Sequence, residues 1–246
     1  TIGQGIDATV GAVTINAATD ANLDTDIVSL RSGASLLVTA GRDIQVRAQV
    51  DGRGGAATGG TAAFIAGRHV NLLDSVTTSN GAIRVTATTG TVTQAAGVQL
   101  RTGAAPIDVS AGTDLTTGSY VTTGALTLRS TGGSVAIAEP IYDTVGATQI
   151  SAATDVIVPA TVRVENVRTG AALAVTAGRD IVVGGQIGQD RDATAVTGPI
   201  TLTAGRHVAI SQDVVTRDAP LTITATGGTV AVAPEIPGQP GVQPQV

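Results

Sequence analysis

The stretch LLVTAGRDIQV, residues 36–46, alternates apolar with polar side chains, breaks at a short polar turn, and then resumes the alternation. A period of two belongs to a strand, because successive side chains of a strand point to opposite faces. The same phrase returns at AAFIAGRHVNL (62–72), IRVTATTGTVT (83–93), IDVSAGTDLTT (107–117) and LTLRSTGGSVAI (126–137). It continues at TQISAATDVIV (148–158), LAVTAGRDIVV (173–183), ITLTAGRHVAI (200–210) and LTITATGGTVAV (221–232). A degenerate first copy, VTINAATDANL (13–23), makes ten.

The small residue that closes each alternation serves as a register mark: Ala17, Ala40, Ala66, Ala87, Ala111, Ser130, Ala152, Ala177, Ala204 and Ala225. Neighbouring marks lie 19 to 27 residues apart, with a mean near 23. A repeat this short cannot bury its own apolar face and must stack on its neighbours. Three apolar columns follow: one from Val13 and Leu36 to Leu221, one from Ile15 and Val38 to Ile223, and one after the turn from Ile44 to Val230. Strands of one kind at this spacing predict an all-β parallel β-solenoid, a single chain wound into about ten coils. At about 3.3 Å per residue, 23 residues give a perimeter near 75 Å, which suits three short strands and a triangular cross-section. Equivalent residues then sit about 4.8 Å apart, so ten coils make a rod of roughly 50 Å. Copies differ in length mainly at RAQVDGRGGAATGG (47–60) and GGQIGQDRDATAVTG (184–198), which read as glycine-rich insertions on exposed turns at one corner.

A second period overlies the first. The motif order AATD, AGRD, AGRH, AT(T/G)G occurs at 17–90 and again at 152–228, with the paired alanines offset by 135 to 138 residues. Six coils therefore form one long unit. The repeat domain spans 1–233, with long units at about 13–150 and 151–233, the second truncated. The tail PEIPGQPGVQPQV, 234–246, holds four of the nine prolines and reads as a linker, since proline cannot donate to a strand ladder. The absence of methionine and the truncated second unit are those of a slice from a longer array.

Composition narrows the function. All 14 basic residues are arginine against 19 acidic ones, a net charge of −5, which argues against nucleic-acid binding. There is no cysteine, so disulfide frameworks, thiolate metal sites and thiol nucleophiles are excluded. No apolar run approaches the roughly 18 residues of a membrane helix, so no membrane span is expected.

The recurring L-x-V-T-A-G-R-D-I-x-V, from Val13 to Val232, resembles the haemagglutinin repeats of filamentous-haemagglutinin-type exoproteins of two-partner secretion systems. The resemblance implies a right-handed parallel β-helix forming the shaft of a secreted or cell-surface adhesin in Gram-negative bacteria. It also implies an outer-membrane transporter as partner, engaged through a secretion domain. That domain's Asn-Pro-Asn motifs are missing here, so this piece reads as shaft alone.

Candidate site residues are sparse. His69 and His207 occupy the turn position that holds Asp20, Asp43, Asp114, Asp155 or Asp180 in other copies. The position reads as one that accepts a short polar side chain, and no set of converging metal ligands is apparent. The alignment predicts that Asp43 stacks on His69, and Asp180 on His207, each carboxylate favouring a charged imidazole. Arg42, Arg68, Arg179 and Arg206 form the preceding column. They either splay over apolar surface or make a basic strip for sulfated glycans. Asp190-Arg191-Asp192 is the one acidic knot, and GGQIGQDRD (184–192) resembles a calcium turn with its spacing off by one. No catalytic residue, cofactor or metal ligand is assigned, and the chain reads as a non-enzyme.

Three functions compete: a rigid shaft that holds a distal module, a binding module for a host or neighbouring-cell surface glycan or protein (or, given the threonines, ice), and a polysaccharide-active enzyme. The T-x-T pairs at 201–203 and 222–224 are matched in other copies by Leu36–Val38, Ile107–Val109 and Leu126–Leu128, which breaks any threonine array. The rod is expected as a monomer whose uncapped coil ends associate end to end.

Overall fold

The computed structural model describes residues 5–7, 11–28, 34–52, 59–166, 170–188, 198–216 and 218–233. These residues form three sheets of ten parallel strands each, and no helix. Sequential strands go to different sheets, and every strand pairs with its counterparts one coil before and one coil after. We number the coils 1 to 10 by their first-sheet strand.

The first sheet holds the five-residue strands, from Val13–Ala17 through Leu36–Ala40 to Leu221–Ala225. Its register is that of the alternation: Val38 pairs with Phe64, and Phe64 with Val85, all three fully buried. The register marks also stack on one another, from Ala17 on Ala40 at one end to Ala204 on Ala225 at the other. After a corner the second sheet follows, from Ala21–Leu23 through Ile44–Val46 to Val230–Val232. Its inward columns carry Ile44 on Val70 and Val46 on Leu72. Three inward faces close on one continuous core of valine, isoleucine, leucine and alanine, with Phe64 and Tyr120 its two aromatic members.

The third sheet is the third strand per coil that the perimeter calls for, but it lies partly where the sequence reading placed turn insertions. Its strands include Val50–Gly52, Val76–Thr78, Gln99–Arg101 and Gln186–Gly188. Val50 and Ile187 lie inside the two stretches read as insertions, yet both are fully buried. Each stretch opens with a core strand, and the segments 53–58 and 189–197 that follow lie outside the described residues. The strands here are short and present one deep apolar residue per coil, so no alternation announces them. A register shift between Ile141 and Thr144 marks where coil length changes.

The corner between the first and second sheets comes in two lengths. AATD, AGRD, AGRH and AGTD place three residues between the register mark and the next inward residue; TTGT, TGGS and TGGT place four. In the short form the corner backbone is bonded to the coil below, with Gly178 N–H donating to Ala152 O at 3.0 Å and Arg179 N–H to Thr154 O at 2.9 Å. A Cβ on Gly178 would fall well inside contact distance of the Ala153 carbonyl oxygen, which is why glycine occupies this place. In the long form the backbone is bonded in the same way, Thr88 N–H donating to Ala66 O at 2.9 Å, and the threonine hydroxyl adds a second bond to that carbonyl at 3.0 Å.

Two substitutions test this packing by chemical denaturation. Phe64→Ala, in the middle of a closed stack, is expected to destabilise by about 3–5 kcal/mol. Tyr120 is buried and its hydroxyl has no hydrogen-bond partner among the described residues. Tyr120→Phe removes that unpaired group and is expected to leave stability unchanged or raise it by about 1 kcal/mol. A clear loss of stability would mean that the hydroxyl is satisfied in solution.

Candidate functional site

The short corners line up into a charged ladder on the outside of the rod. In each AGRD or AGRH copy the arginine reaches back to the aspartate of the coil below. Arg42 Nε donates to Asp20 Oδ1 at 2.7 Å, Arg68 Nε to Asp43 Oδ1 at 2.9 Å, Arg179 Nε to Asp155 Oδ1 at 2.8 Å and Arg206 Nε to Asp180 Oδ1 at 2.9 Å. In every case Nη2 bonds the second carboxylate oxygen, so each pair is a two-pronged fork. The arginines neither splay away nor form a basic strip, because each is matched by a carboxylate. Asp24 and Arg47 add a further pair at 2.9 Å on the far side of the second sheet.

The same carboxylates do a second task. Asp43 Oδ1 accepts the backbone N–H of His69 at 3.1 Å, and Asp180 Oδ1 accepts that of His207 at 3.1 Å. Asp180 and His207 are direct register partners, as the alignment predicts. The bond between them, however, runs from carboxylate to backbone, and the charged partner of the carboxylate is arginine. The imidazole turns instead to the coil above: His69 Nδ1 accepts the N–H of Thr91 at 3.0 Å, and His207 Nδ1 that of Thr229 at 3.2 Å. Histidine thus repeats the job of aspartate, offering a side-chain acceptor to the next backbone amide.

Each histidine lies below a four-residue corner, where Gly90 or Gly228 leaves room for the ring; a Cβ there would collide with it. Asp114 meets the other long corner, accepting Ser134 N–H at 2.8 Å. The pairing of AGRH with a glycine corner is legible in the sequence, but only once the extra residue is counted.

The forks set the electrostatics. Hydrogen bonding from Arg68 holds the Asp43 carboxyl down at about 2, and Arg206 does the same for Asp180. Arg42 and Arg179 lower Asp20 and Asp155 in the same way. The arginines are about half exposed, so salt screens these pairs.

The arginines without a carboxylate are others. Among the described residues Arg84, Arg101 and Arg129 make no ion pair, and all three are exposed. Two shallow depressions in the surface are built around two of them: one on the third sheet, with Arg101 beside Thr77 and Thr123, and one on the first sheet, with Arg129 beside Thr127 and Gln149. Sequence reasoning singled out arginines by their recurrence and so passed over these, which occur singly.

The first-sheet register also corrects the threonine alignment. Thr201 and Thr203 pair with Ala174 and Thr176, and onward with Thr222 and Thr224. They are outward residues in the columns of Leu37 and Thr39, not those of Leu36 and Val38. One outward column holds Thr176, Thr203 and Thr224 in succession, while Arg129 and Ile65 interrupt it lower down.

No group of three or more histidine, aspartate or glutamate side chains among the described residues could hold a metal ion. Asp190, Arg191 and Asp192 and the tail 234–246 lie outside the described residues. Compared with protein families, curated proteins and solved structures, the chain matches none of them.

The forks make stability depend on acid. Because folding lowers these carboxyls, the folded state binds fewer protons, so their contribution is complete above the ordinary carboxylate range and is lost as pH falls from about 4 toward 2. Denaturant midpoints are expected to hold down to about pH 5 and then fall. In D43N/D180N, which keeps an acceptor for the histidine amides but removes the charge, the fall between pH 4 and 2 is expected to be shallower. Equal acid sensitivity in both proteins would show that the forks add nothing.

Proposed function

We propose that this chain is a non-catalytic, rigid shaft segment of a large secreted or cell-surface bacterial protein of the adhesin type, holding a distal binding or toxin module away from its base. The observation that carries the reading is the coil-to-coil pairing of three sheets through ten coils, closed on one core. A parallel ladder in which every coil is bonded to the next resists bending and has a fixed rise, so length is set by coil number alone. The likeness of the AGRD and AGRH repeats to haemagglutinin repeats supplies the adhesin and secretion parts of the reading. No helix among the described residues is long and apolar enough to cross a membrane.

A second reading has one observation in its favour. The depressions around Arg101 and Arg129 offer an unpaired cation beside hydroxyl and amide groups, which suits a sulfated or carboxylated glycan.

Length and binding separate the two. A fluorophore pair attached near Val13 and Val232 is expected to report a fixed separation, and inserting one further six-coil unit to lengthen it by about 29 Å. Failure of the separation to grow by that amount would end the shaft reading. On an array of neutral and anionic glycans the chain is expected to show no saturable binding. Saturable binding abolished by R101A/R129A would establish the second reading in its place.

A further inference from the structure

The two long units keep the same corners and the same inward columns, though individual inward residues are exchanged, as Phe64 for Leu202 and Ala21 for Val156, and one outward face changes from polar to apolar. In the second sheet of the first unit the outward residues of coils 1 to 4 are Asn22, Gln45, Asn71 and Thr93, a polar column in register. Their counterparts one long period later are Ile157, Val182, Ala209 and Ala231, again in register and continued downward by Ala136. Ile157 and Val182 are 38% and 40% exposed. The bordering column changes in the same direction: the Asp24–Arg47 ion pair of the first unit is replaced by Pro159 and Gly184. Every polar side chain in one column, and a salt bridge beside it, has thus been exchanged for an apolar or small residue that contributes nothing to the core. Leu73, 49% exposed, is the bordering exception in the first unit, and there the second unit has Ser211.

We infer that this apolar face of coils 6 to 10 packs side by side against the same face of a second copy of the chain. A flat ladder with a 4.8 Å repeat is matched best by another ladder of the same repeat, and two sheets pack face to face about 10 Å apart. With the rods antiparallel and Val182 on the two-fold axis, Ile157 of one copy lies opposite Ala209 of the other, and Ala136 opposite Ala231. Ile157 then meets a small residue, Val182 meets its own copy on the axis, and alanine meets alanine at the ends, so the column pairs with itself without a polar contact. Charge points the same way. Each copy carries a net −5; these two outward columns hold no charged side chain, and the carboxylates of Asp155 and Asp180 that border them are neutralised by Arg179 and Arg206. The strip is about 19 Å long and two columns wide, at most a few hundred Å², against about 800 Å² per partner in a stable interface. Pairing of single chains is therefore weak, and it strengthens where several such units lie along one rod.

Sedimentation velocity of the full chain from about 10 μM to 1 mM tests this. The native protein is expected to move from monomer to a closed dimer across that range. The variant I157N/V182Q carries at these positions the residue types that the equivalent coils of the first unit accommodate at Asn22 and Gln45, and circular dichroism confirms its fold. Its dimerisation is expected to be at least tenfold weaker. A native protein that stays monomeric to 1 mM overturns the proposal, and so does a dimer that the variant leaves intact. An open-ended series of oligomers unaffected by the variant would mean association through coil ends instead. A monomer that binds an apolar dye through Ile157 and Val182 would assign the face to another partner and equally overturn self-pairing.

Discussion

Every backbone amide in a wound strand must find its carbonyl in the coil next door, and this obligation organises the molecule. A buried peptide group without a partner costs free energy comparable to a lost hydrogen bond. The chain satisfies it axially, in the strands and also at the corners, where Gly41 N–H bonds Ala17 O and Arg42 N–H bonds Thr19 O. Once axial pairing is required, like residues are forced into columns. Apolar columns become the core, small residues become the corner, and charged residues become a ladder whose members must alternate in sign. The Arg–Asp forks are the outcome of that last condition. An arginine column alone would repel itself, and an aspartate column alone would too, but a one-step offset lets each arginine reach the carboxylate below.

Much of this is legible in the sequence because a period-two pattern reset every couple of dozen residues has few folded solutions. The stacks of Val38, Phe64 and Val85, the small-residue marks, and the second-sheet column from Ile44 onward all follow from alternation and alignment. The third sheet does not, because strands such as Val50–Gly52 and Gln186–Gly188 carry one core residue each and sit beside glycines that read as turn. The corner chemistry was half legible. Sequence spacing places Asp180 against His207, but not that the contact is carboxylate to backbone amide. Direction is a three-dimensional matter: the arginine of one coil precedes its own aspartate in sequence yet bonds the aspartate of the coil before. The threonine columns were misplaced by one residue, and in a pleated strand a shift of one exchanges inside for outside.

The two long units show which positions the fold leaves free. Inward and corner residues answer to the core and to the axial ladder, so both units keep the corner motifs and fill the inward columns with residues the core accepts, as Leu202 where the first unit has Phe64. The outward residues of the second sheet answer to neither, so the change from Asn22 and Gln45 to Ile157 and Val182 needs no compensation inside the rod. A solenoid of this kind can vary one face of one unit without disturbing the rest, and surface differences between units are where individual character resides.

The last coil displays the other side of axial bonding. Leu221 and Ile223, like Val13 and Ile15 of the first coil, are only half-buried, and Val230 and Val232 are exposed at 45% and 40%, although the same columns are closed in coils 2 to 9. Among the described residues each inner coil is thus held by two neighbours, whereas a coil at the end of any such rod is held by one. Tension applied through the chain does not meet the rod as a block. It works at the rim, where a single coil peels free and uncovers the next, so the molecule yields in discrete steps and lengthens considerably before it parts.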